Sequence, residues 1–555
     1  MTPTALGCPV ARSADRGRKR LMLLAGAFMA AYLAVAWRLF DLSILQYDPR
    51  PAGPSIIAAP EAGRRADIVD RNGVLLATSL EVSSAYADPA DILDPVDAAR
   101  KIHGVLPHLD WERLAGELGS DRRFVWIERH LSPVKQRALN ALGIPGLNFR
   151  PEYRRIYPGG RAFSHLLGYT DIDNKGLAGM ERGFQTQLSR DGAPLALSVD
   201  ARVQYIVRSE LDDAMQTFRA AGATGLVMDV RSGELLAMVS LPDFDPNTPD
   251  PADTDAMFNR ATLGVYEMGS TFKIFNTALA LSSGKVRITD RFDAIKPVRV
   301  GRFTINDYHP ENRWLSVAEI FEHSSNIGSV RMLQHVGFDA QQPFLKTLGL
   351  LDPSPLEMPE MGRPLLPSPW RDINAMTITY GHGLAINSVQ LASAVSAIVN
   401  GGSLHPATIL RRNAPAEGKR VLAPGVSDQM RGLFRLVVTE GTATSADSPG
   451  YIVGGKTGTA DKKAGRGYDT RKRISSFIGA FPMHDPHYLV FVLLDEPKGT
   501  KETWGFATGG WVAAPSVGRI IGQIGPLLGI KPYRAEDPVV RSNLQVPAPS
   551  AQKLP

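Results

Sequence analysis

Gly264-Val265-Tyr266-Glu267-Met268-Gly269-Ser270-Thr271-Phe272-Lys273-Ile274-Phe275-Asn276-Thr277-Ala278-Leu279-Ala280-Leu281 is the stretch on which the fold and chemistry of this 555-residue chain turn. From Phe272 onward it is apolar nearly all round, the pattern of a helix buried on every side. Lys273 sits inside that pattern. A buried lysine is costly unless it is paired or gives up its proton. Desolvation lowers its pKa, which can make it a base at neutral pH. Ser270 lies three residues earlier, so a helix would bring the two side chains within about 5–6 Å. A serine hydroxyl is a poor nucleophile until a base takes its proton. Gly269 permits close backbone approach, and amides at a helix start can stabilise an oxyanion. The blander reading is a serine N-cap followed by a lysine that snorkels to the surface.

Ser-x-x-Lys alone does not choose. It occurs four times, at Ser132/Lys135, Ser270/Lys273, Ser282/Lys285 and Ser550/Lys553. Only Ser270 opens a strongly apolar helix. Two further motifs single it out. Ser324-Ser325-Asn326 follows 54 residues after Ser270, and Lys456-Thr457-Gly458-Thr459 follows 186 residues after it. Taken singly, the first reads as a helix cap and the second as a β-turn. Lys456-Thr457-Gly458 falls on an expected strand, where a glycine leaves room for a substrate backbone. Serine, then Ser-x-Asn, then Lys-Thr-Gly is the order found in penicillin-recognising serine enzymes.

The bulk numbers agree with a large exported protein. A chain of this length forms about two to four domains. With 44% apolar and 21% charged residues it is neither disordered nor collagen-like. A net charge of +6 is a weak field over so many residues. No zinc-finger, RNA-binding or basic-zipper pattern occurs, so no nucleic-acid partner is expected. Neither a cofactor nor a metal is expected. Cys8 is the single cysteine, so no intrachain disulfide forms. It precedes an apolar segment instead of following one, which argues against a lipid-attachment site.

That segment, residues 21–37, carries no charge, and continuing to residue 40 gives about 20 residues, enough to span a bilayer. Arg12, Arg16, Arg18, Lys19 and Arg20 precede it, so residues 1–20 are expected in the cytoplasm and the rest outside. Ala34-Val35-Ala36 mimics a signal-peptide cleavage site, but the long apolar core and bulky Trp37 favour an anchor.

Residues 49–62 are rich in Pro and Ala and read as a stalk. A mixed, elongated region is expected over 63–195. It opens with Arg65-Ala66-Asp67-Ile68-Val69-Asp70-Arg71-Asn72-Gly73, in which Asn72-Gly73 is a hairpin signal. Helical periodicity covers 96–118 and 132–142. From 196 to 535 the reading is a long helix near 201–220, strands at 225–230, 234–241, 451–457, 474–481 and 487–495, and a closing helix at 512–527. Hairpin-paired strands flanked by helices make an α+β domain, an antiparallel sheet with helices packed on it. Residues 536–555 read as a disordered tail.

The chain resembles the class B penicillin-binding proteins, and within them the division-specific D,D-transpeptidases of the FtsI type. The resemblance rests on the three motifs together with Arg155-Ile156-Tyr157-Pro158, His165, Gly168, residues 176–181, Tyr380-Gly381-His382-Gly383 and residues 455–460. It implies that Ser270 attacks the penultimate D-Ala of a stem pentapeptide and that Lys273 takes the serine proton. Ser324 would carry the proton to the leaving D-Ala, and Asn326 would bond the peptide backbone. Lys456, Thr457, Gly458 and Thr459 would bind substrate, with the amides of Ser270 and Thr459 as oxyanion hole. It further implies β-lactam acylation of Ser270, a non-catalytic dimerisation-type pedestal over 63–195 and an inner-membrane, septal location. The implied partners are a polytopic glycan polymerase of the FtsW type and other division proteins.

Alternatives to septal crosslinking are an elongation transpeptidase, a β-lactam-hydrolysing relative and a β-lactam sensor. No glutamate motif for holding a hydrolytic water stands out, and sensors generally carry more spans or a cytoplasmic effector.

Overall fold

The computed structural model describes residues 11–40 and 64–547, apart from 191, 302, 415, 416, 465 and 466. The stalk at 49–62 lies outside the described residues. Two compact units emerge: Met1–Glu61 with Ser83–Arg150, and Ala62–Val82 with Pro151–Pro555.

In the first unit a helix runs Ala11–Phe40. Side chains are described for residues 22–38 of it, and no described helix is long and apolar enough to cross a membrane. Within Ser83–Arg150 the single helix expected over 96–118 is two helices, Pro95–Val105 and Trp111–Leu118. Pro107 explains the break, because proline disfavours helical geometry in the residue before it. Leu106 accordingly leaves the helix at φ −121°, ψ 73°. Asp110 restarts it by accepting from the amides of Glu112 and Arg113. Ala99, Ile102, Leu106, Leu118, Ile127 and Leu139 form a small core of their own.

The second unit begins with the hairpin predicted at Asn72-Gly73. Gly73 takes φ +84°, and the Asp70 carboxylate accepts from Asn72 N at 2.7 Å and Val74 N at 2.8 Å. Its other oxygen accepts from Ala201 N at 3.0 Å, the first residue of helix α1 (Ala201–Phe218). Deep beside the hairpin, Glu181 is held between Arg65 and Arg155, all three fully buried.

The body of this unit is a five-stranded sheet. Its strands are β1 (Gly222–Asp229), β2 (Leu235–Leu241), β3 (Gly454–Ala464), β4 (Gly467–Phe481) and β5 (Tyr488–Asp495), in the order β3-β4-β5-β1-β2. Every pairing is antiparallel. Antiparallel strands with one wet face alternate apolar and polar side chains. These do not: β2 is buried throughout, as are the last eight residues of β4. Helices pack on the sheet, as the expected α+β arrangement requires. Helix α1 lies so close to β1 that a Cβ on Gly225 would meet Val207 at 2.6 Å. Helix α2 (Lys273–Ser282) is buried from Lys273 to Leu281. Strand β3 starts later and runs further than expected, because its hairpin partner continues to Gly467 opposite Ala464.

The tail read as disordered from 536 contains a helix, Pro538–Leu544. Asp537 caps it and Val540 is buried, which anchors the segment. Residues 548–555 lie outside the described residues.

Candidate active site

Ser270 stands in a 3-10 turn, Gly269–Phe272, that leads directly into α2. Helical spacing then does what the pattern required, setting Lys273 Nζ 2.9 Å from Ser270 Oγ. Gly269 adopts φ +54°, and a Cβ there would lie 2.3 Å from Thr459 O. This contact presses the Ser270 turn against β3 and brings Ser270 and Thr459 into one neighbourhood.

Lys273 is 1% exposed, and four oxygens surround its nitrogen. Ser324 O (2.8 Å) and Asn326 Oδ1 (2.7 Å) can only accept, whereas Ser270 Oγ (2.9 Å) and Ser324 Oγ (3.1 Å) can also donate. A neutral amine fits this set without a misfit. Its two N–H groups satisfy the carbonyl and the amide oxygen, and its lone pair receives a hydroxyl proton. Burial, reinforced by the nearby Lys456 cation, holds the Lys273 pKa well below its ordinary value, with Asp307 opposing.

Lys456, on β3, is fully buried. Its ammonium bonds Ser324 Oγ at 3.1 Å and lies 5.9 Å from the Phe321 ring centre. Burial pushes its pKa down to about 7. Ser324 holds its place at φ +60°, a left-handed conformation that a serine adopts at some cost. Asn326 opens helix α3 (Asn326–Val336) and spends its side chain on the protein, with Oδ1 on Lys273 and Nδ2 donating to Asn306 O at 2.9 Å. One amide hydrogen is left for a substrate.

The three motifs meet in one cleft of about 420 Å³, lined by Ser270, Ser324, Asn326, Thr457 and Thr459 among others. Thr457 Oγ1 pairs with Thr442 Oγ1 at 2.9 Å, and Thr459 Oγ1 accepts from Gly509 N at 3.1 Å. Gly458 departs from its expected use. The space beside it is taken by Met268 O, the Thr271 methyl and Ser476 Oγ, each within 3.0 Å of where a Cβ would sit. On that side the glycine admits the Ser270 turn.

The rival Ser-x-x-Lys pairs have structural roles. Ser132 caps Pro133–Asn140, and Lys135 pairs with Glu128. Ser282 ends α2, and Lys285 bonds Val336 O. Ser550 lies outside the described residues.

Sequence reasoning missed Asp307. Its carboxylate accepts from the amides of Asn326 and Ile327 and from Ser325 Oγ at 2.7 Å, fixing the Ser324–Asn326 turn. It also missed Phe506, Thr508 and Trp511, which line the cleft beyond Thr459. Tyr380 and His382 line it too, and a Cβ on Gly381 between them would lie 2.0 Å from Gly269 O.

A serine beside a buried lysine of depressed pKa, bridged by a second serine to a second lysine, has the make-up of a serine acyltransferase site. Residues 223–521 match the penicillin-binding protein transpeptidase domain, and residues 60–215 match the penicillin-binding protein dimerisation domain. The chain belongs to the class B penicillin-binding protein transpeptidase family. Among its relatives, "Probable peptidoglycan D,D-transpeptidase FtsI" of Caulobacter vibrioides is 39% identical over 94% of this chain and 90% of that protein. "Peptidoglycan D,D-transpeptidase FtsI" of Escherichia coli K12 is 28% identical over 92% and 91%. The solved transpeptidase domain of Burkholderia pseudomallei penicillin-binding protein 3 is 33% identical, with a TM-score of 0.55, covering 61% of this chain and 98% of that one. A peptidoglycan synthetase from Bifidobacterium adolescentis shares the fold, with a TM-score of 0.69 over 86% of this chain and 98% of its own at 23% identity.

Proposed function

We propose that this protein is a peptidoglycan D,D-transpeptidase that crosslinks stem peptides at the division septum. The observation that carries the reading is Lys273 Nζ, buried and 2.9 Å from Ser270 Oγ, with Ser324 Oγ between it and Lys456. Ser270 Oγ attacks the penultimate D-Ala carbonyl while its proton passes to Lys273. The amides of Ser270 and Thr459 take the developing oxyanion. Ser324 delivers a proton to the nitrogen of the departing D-Ala, whose carboxylate rests on Lys456, Thr457 and Thr459. An amine of a second stem peptide then attacks the acyl-enzyme, releasing Ser270 and forming the crosslink. β-Lactams acylate the same serine.

Residues 63–195 act as a non-catalytic pedestal for 196–535, and division partners, including a glycan polymerase of the FtsW type, engage the protein outside the cleft. The apolar segment 21–40, whose side chains are described only over 22–38, anchors it in the cytoplasmic membrane, with the catalytic domain outside. In support, Met22, Leu23, Phe28 and Tyr32 are 65%, 74%, 75% and 80% exposed, an apolar surface that lipid would cover. The FtsI names of the relatives support the septal role.

Fluorescent penicillin tests the chemistry. Wild type is expected to become covalently labelled and Ser270→Ala to remain unlabelled; persistent labelling of the alanine variant would reassign the nucleophile. A fluorescent fusion concentrated along the lateral wall, not at midcell, would count against division.

A further inference from the structure

We propose that the C-terminal segment 530–547 is a strap that positions the active site, acting through one helix on Ser324 and Lys456, with Val540 as the residue that fastens it. The inference rests on the transpeptidase reading above and adds positioning residues that lie outside the cleft.

Helix α4 (Pro424–Thr439) carries a glycine, Gly432, in its interior. A glycine there weakens a helix, but it lets another segment of chain come close. A Cβ on Gly432 would lie 3.1 Å from a Val546 methyl and 3.2 Å from Leu544 O. The helix is thus shaped to receive the strap. Before reaching α4 the strap crosses the turn that precedes β3. Tyr533 N donates there to Gly450 O at 2.8 Å, and the Tyr533 ring meets His484 with centroids 4.3 Å apart. Helix α5 (Pro538–Leu544) follows, with Asp537 as its cap. Val540 is 4% exposed and joins the main core, whereas its neighbour Val539 is 56% exposed.

The rest of α4 bears on both halves of the site. Phe434, on the face opposite Gly432, packs on Phe321 with ring centres 5.7 Å apart, and Phe321 lies 5.9 Å from Lys456 Nζ. Arg435 Nη1 donates to Val453 O at 2.7 Å, one residue before β3 begins. Just past the helix, a Cβ on Gly441 would lie 3.1 Å from Glu322 O, two residues before Ser324. Thr442 Oγ1 then pairs with Thr457 Oγ1 at 2.9 Å. These residues belong to no catalytic motif, yet they set the spacing between the Ser324 turn and the Lys456 strand. A helix gripped between strap and site passes a loss on one side to the other, because packed interiors have little slack.

The consequence falls on Lys456, whose pKa is held down by burial. Lys273, on α2, is the charged group that faces it across Ser324 Oγ. The helix Val317–Glu322 offers it the Phe321 ring, and α4 spends Arg435 on Val453 O and Asp447. An α4 that relaxes outward admits water to Lys456 and raises its pKa. Weaker folding alone does not move that pKa.

In the test, the full-length protein in detergent is assayed for the second-order rate of penicillin acylation from pH 5 to 10, with hydrogen exchange of residues 530–547 followed alongside. Val540→Asp is expected to release the strap and lower acylation about tenfold. It should also move the alkaline limb of the profile up by about one pH unit. Val539→Asp sets the same charge on the exposed side of the same helix and should change neither. Val540→Ile should keep the wild-type limb. In Lys456→Arg, which lacks the limb, Val540→Asp should slow acylation with no limb to move. If Val540→Asp does not fold, Val540→Ala and Val546→Ala should show the same shift in smaller measure. Unchanged exchange in Val540→Asp would overturn its role as fastener. A released strap with rate and limb unchanged, a rate that falls while the limb stays, or a limb that survives Lys456→Arg would overturn the positioning role. A wild type that penicillin does not acylate would instead overturn the transpeptidase reading.

Discussion

Lys273 and Lys456 converge on one hydroxyl, each nitrogen 3.1 Å from Ser324 Oγ. Two buried ammonium groups sharing one neutral acceptor would repel each other with little solvent to screen them. The pair therefore favours a state with Lys273 neutral, the form a general base needs, and Lys456 free to hold a proton for a substrate carboxylate.

This division of labour sets the pH profile of acylation. Lys273 must be neutral, so the rate constant for penicillin acylation is expected to rise as pH passes upward through its depressed pKa. Lys456 must be cationic to bind a carboxylate, and in the empty site that charge is lost as pH rises through about 7. The second-order rate constant should therefore be bell-shaped. In Lys456→Arg the guanidinium stays protonated, so the alkaline limb should disappear even where the rate falls about tenfold. Stopped-flow acylation across pH 5–10 reads both effects; an unchanged alkaline limb would separate it from Lys456.

Stability carries the opposite imprint. The folded pKa of Lys456 lies below its ordinary value of 10.5, so between about 7 and 10.5 the unfolded chain binds more protons and this group makes stability rise with pH. Lys456→Met removes the burden at similar volume. The variant is expected to melt ~1–2 °C higher at pH 7, about 1 kcal/mol for a domain of roughly 340 residues, while acylation falls at least ~100-fold. Thermal melts from pH 7 to 10 should show a flatter pH dependence in the variant.

Asp307 is expected to matter as much as a motif residue. Asp307→Ala removes the acceptor for the first two amides of α3 and for the hydroxyl of its cap residue Ser325, and frees the strained Ser324 turn. Loss of a helix cap costs about 1–2 kcal/mol, and a Ser324 hydroxyl that drifts should lower acylation at least ~10-fold. Denaturant titration and penicillin labelling measure the two losses separately. Unaltered labelling would show that the turn holds itself.

Two glycines should respond in opposite ways to alanine. Gly458→Ala drives a methyl to 2.6 Å from Met268 O and should cost about 1–3 kcal/mol and most of the acylation rate, by displacing the nucleophile turn. Gly116, inside the helix Trp111–Leu118 and with nothing within 4 Å, should gain about 0.5–1 kcal/mol as alanine and leave labelling unchanged. Differential unfolding with labelling at fixed dose checks both.

The parts of the site legible in the sequence are those whose geometry is local. Ser270 and Lys273 share one helical turn, and Lys456 to Thr459 lie along one strand, so spacing alone predicts their company. Ser324 and Asn326 were readable only as a motif, because nothing local brings them 54 residues back to Ser270. Asp307 had no such signal. It reaches α3 from a stretch of short strand pairs, where neither periodicity nor a fixed offset marks a cap for a helix that begins 19 residues later. Phe506 and Trp511 look like any loop aromatics until Gly509 and Gly510 are seen packed on β3. The errors have equally physical causes. Pro107 split a continuous helical pattern, and Val540 found a buried seat that gave the tail a helix.

The central claim is that Ser270, out of four serines followed at i+3 by lysine, carries the acyl group. Intact-protein mass spectrometry after penicillin treatment, followed by peptide mapping, tests it directly. One penicilloyl adduct on the peptide containing Ser270, absent in Ser270→Ala, is the expected result. An adduct mapped to Ser132, Ser282 or any other serine, or an alanine variant that still gains the penicilloyl mass, would contradict it.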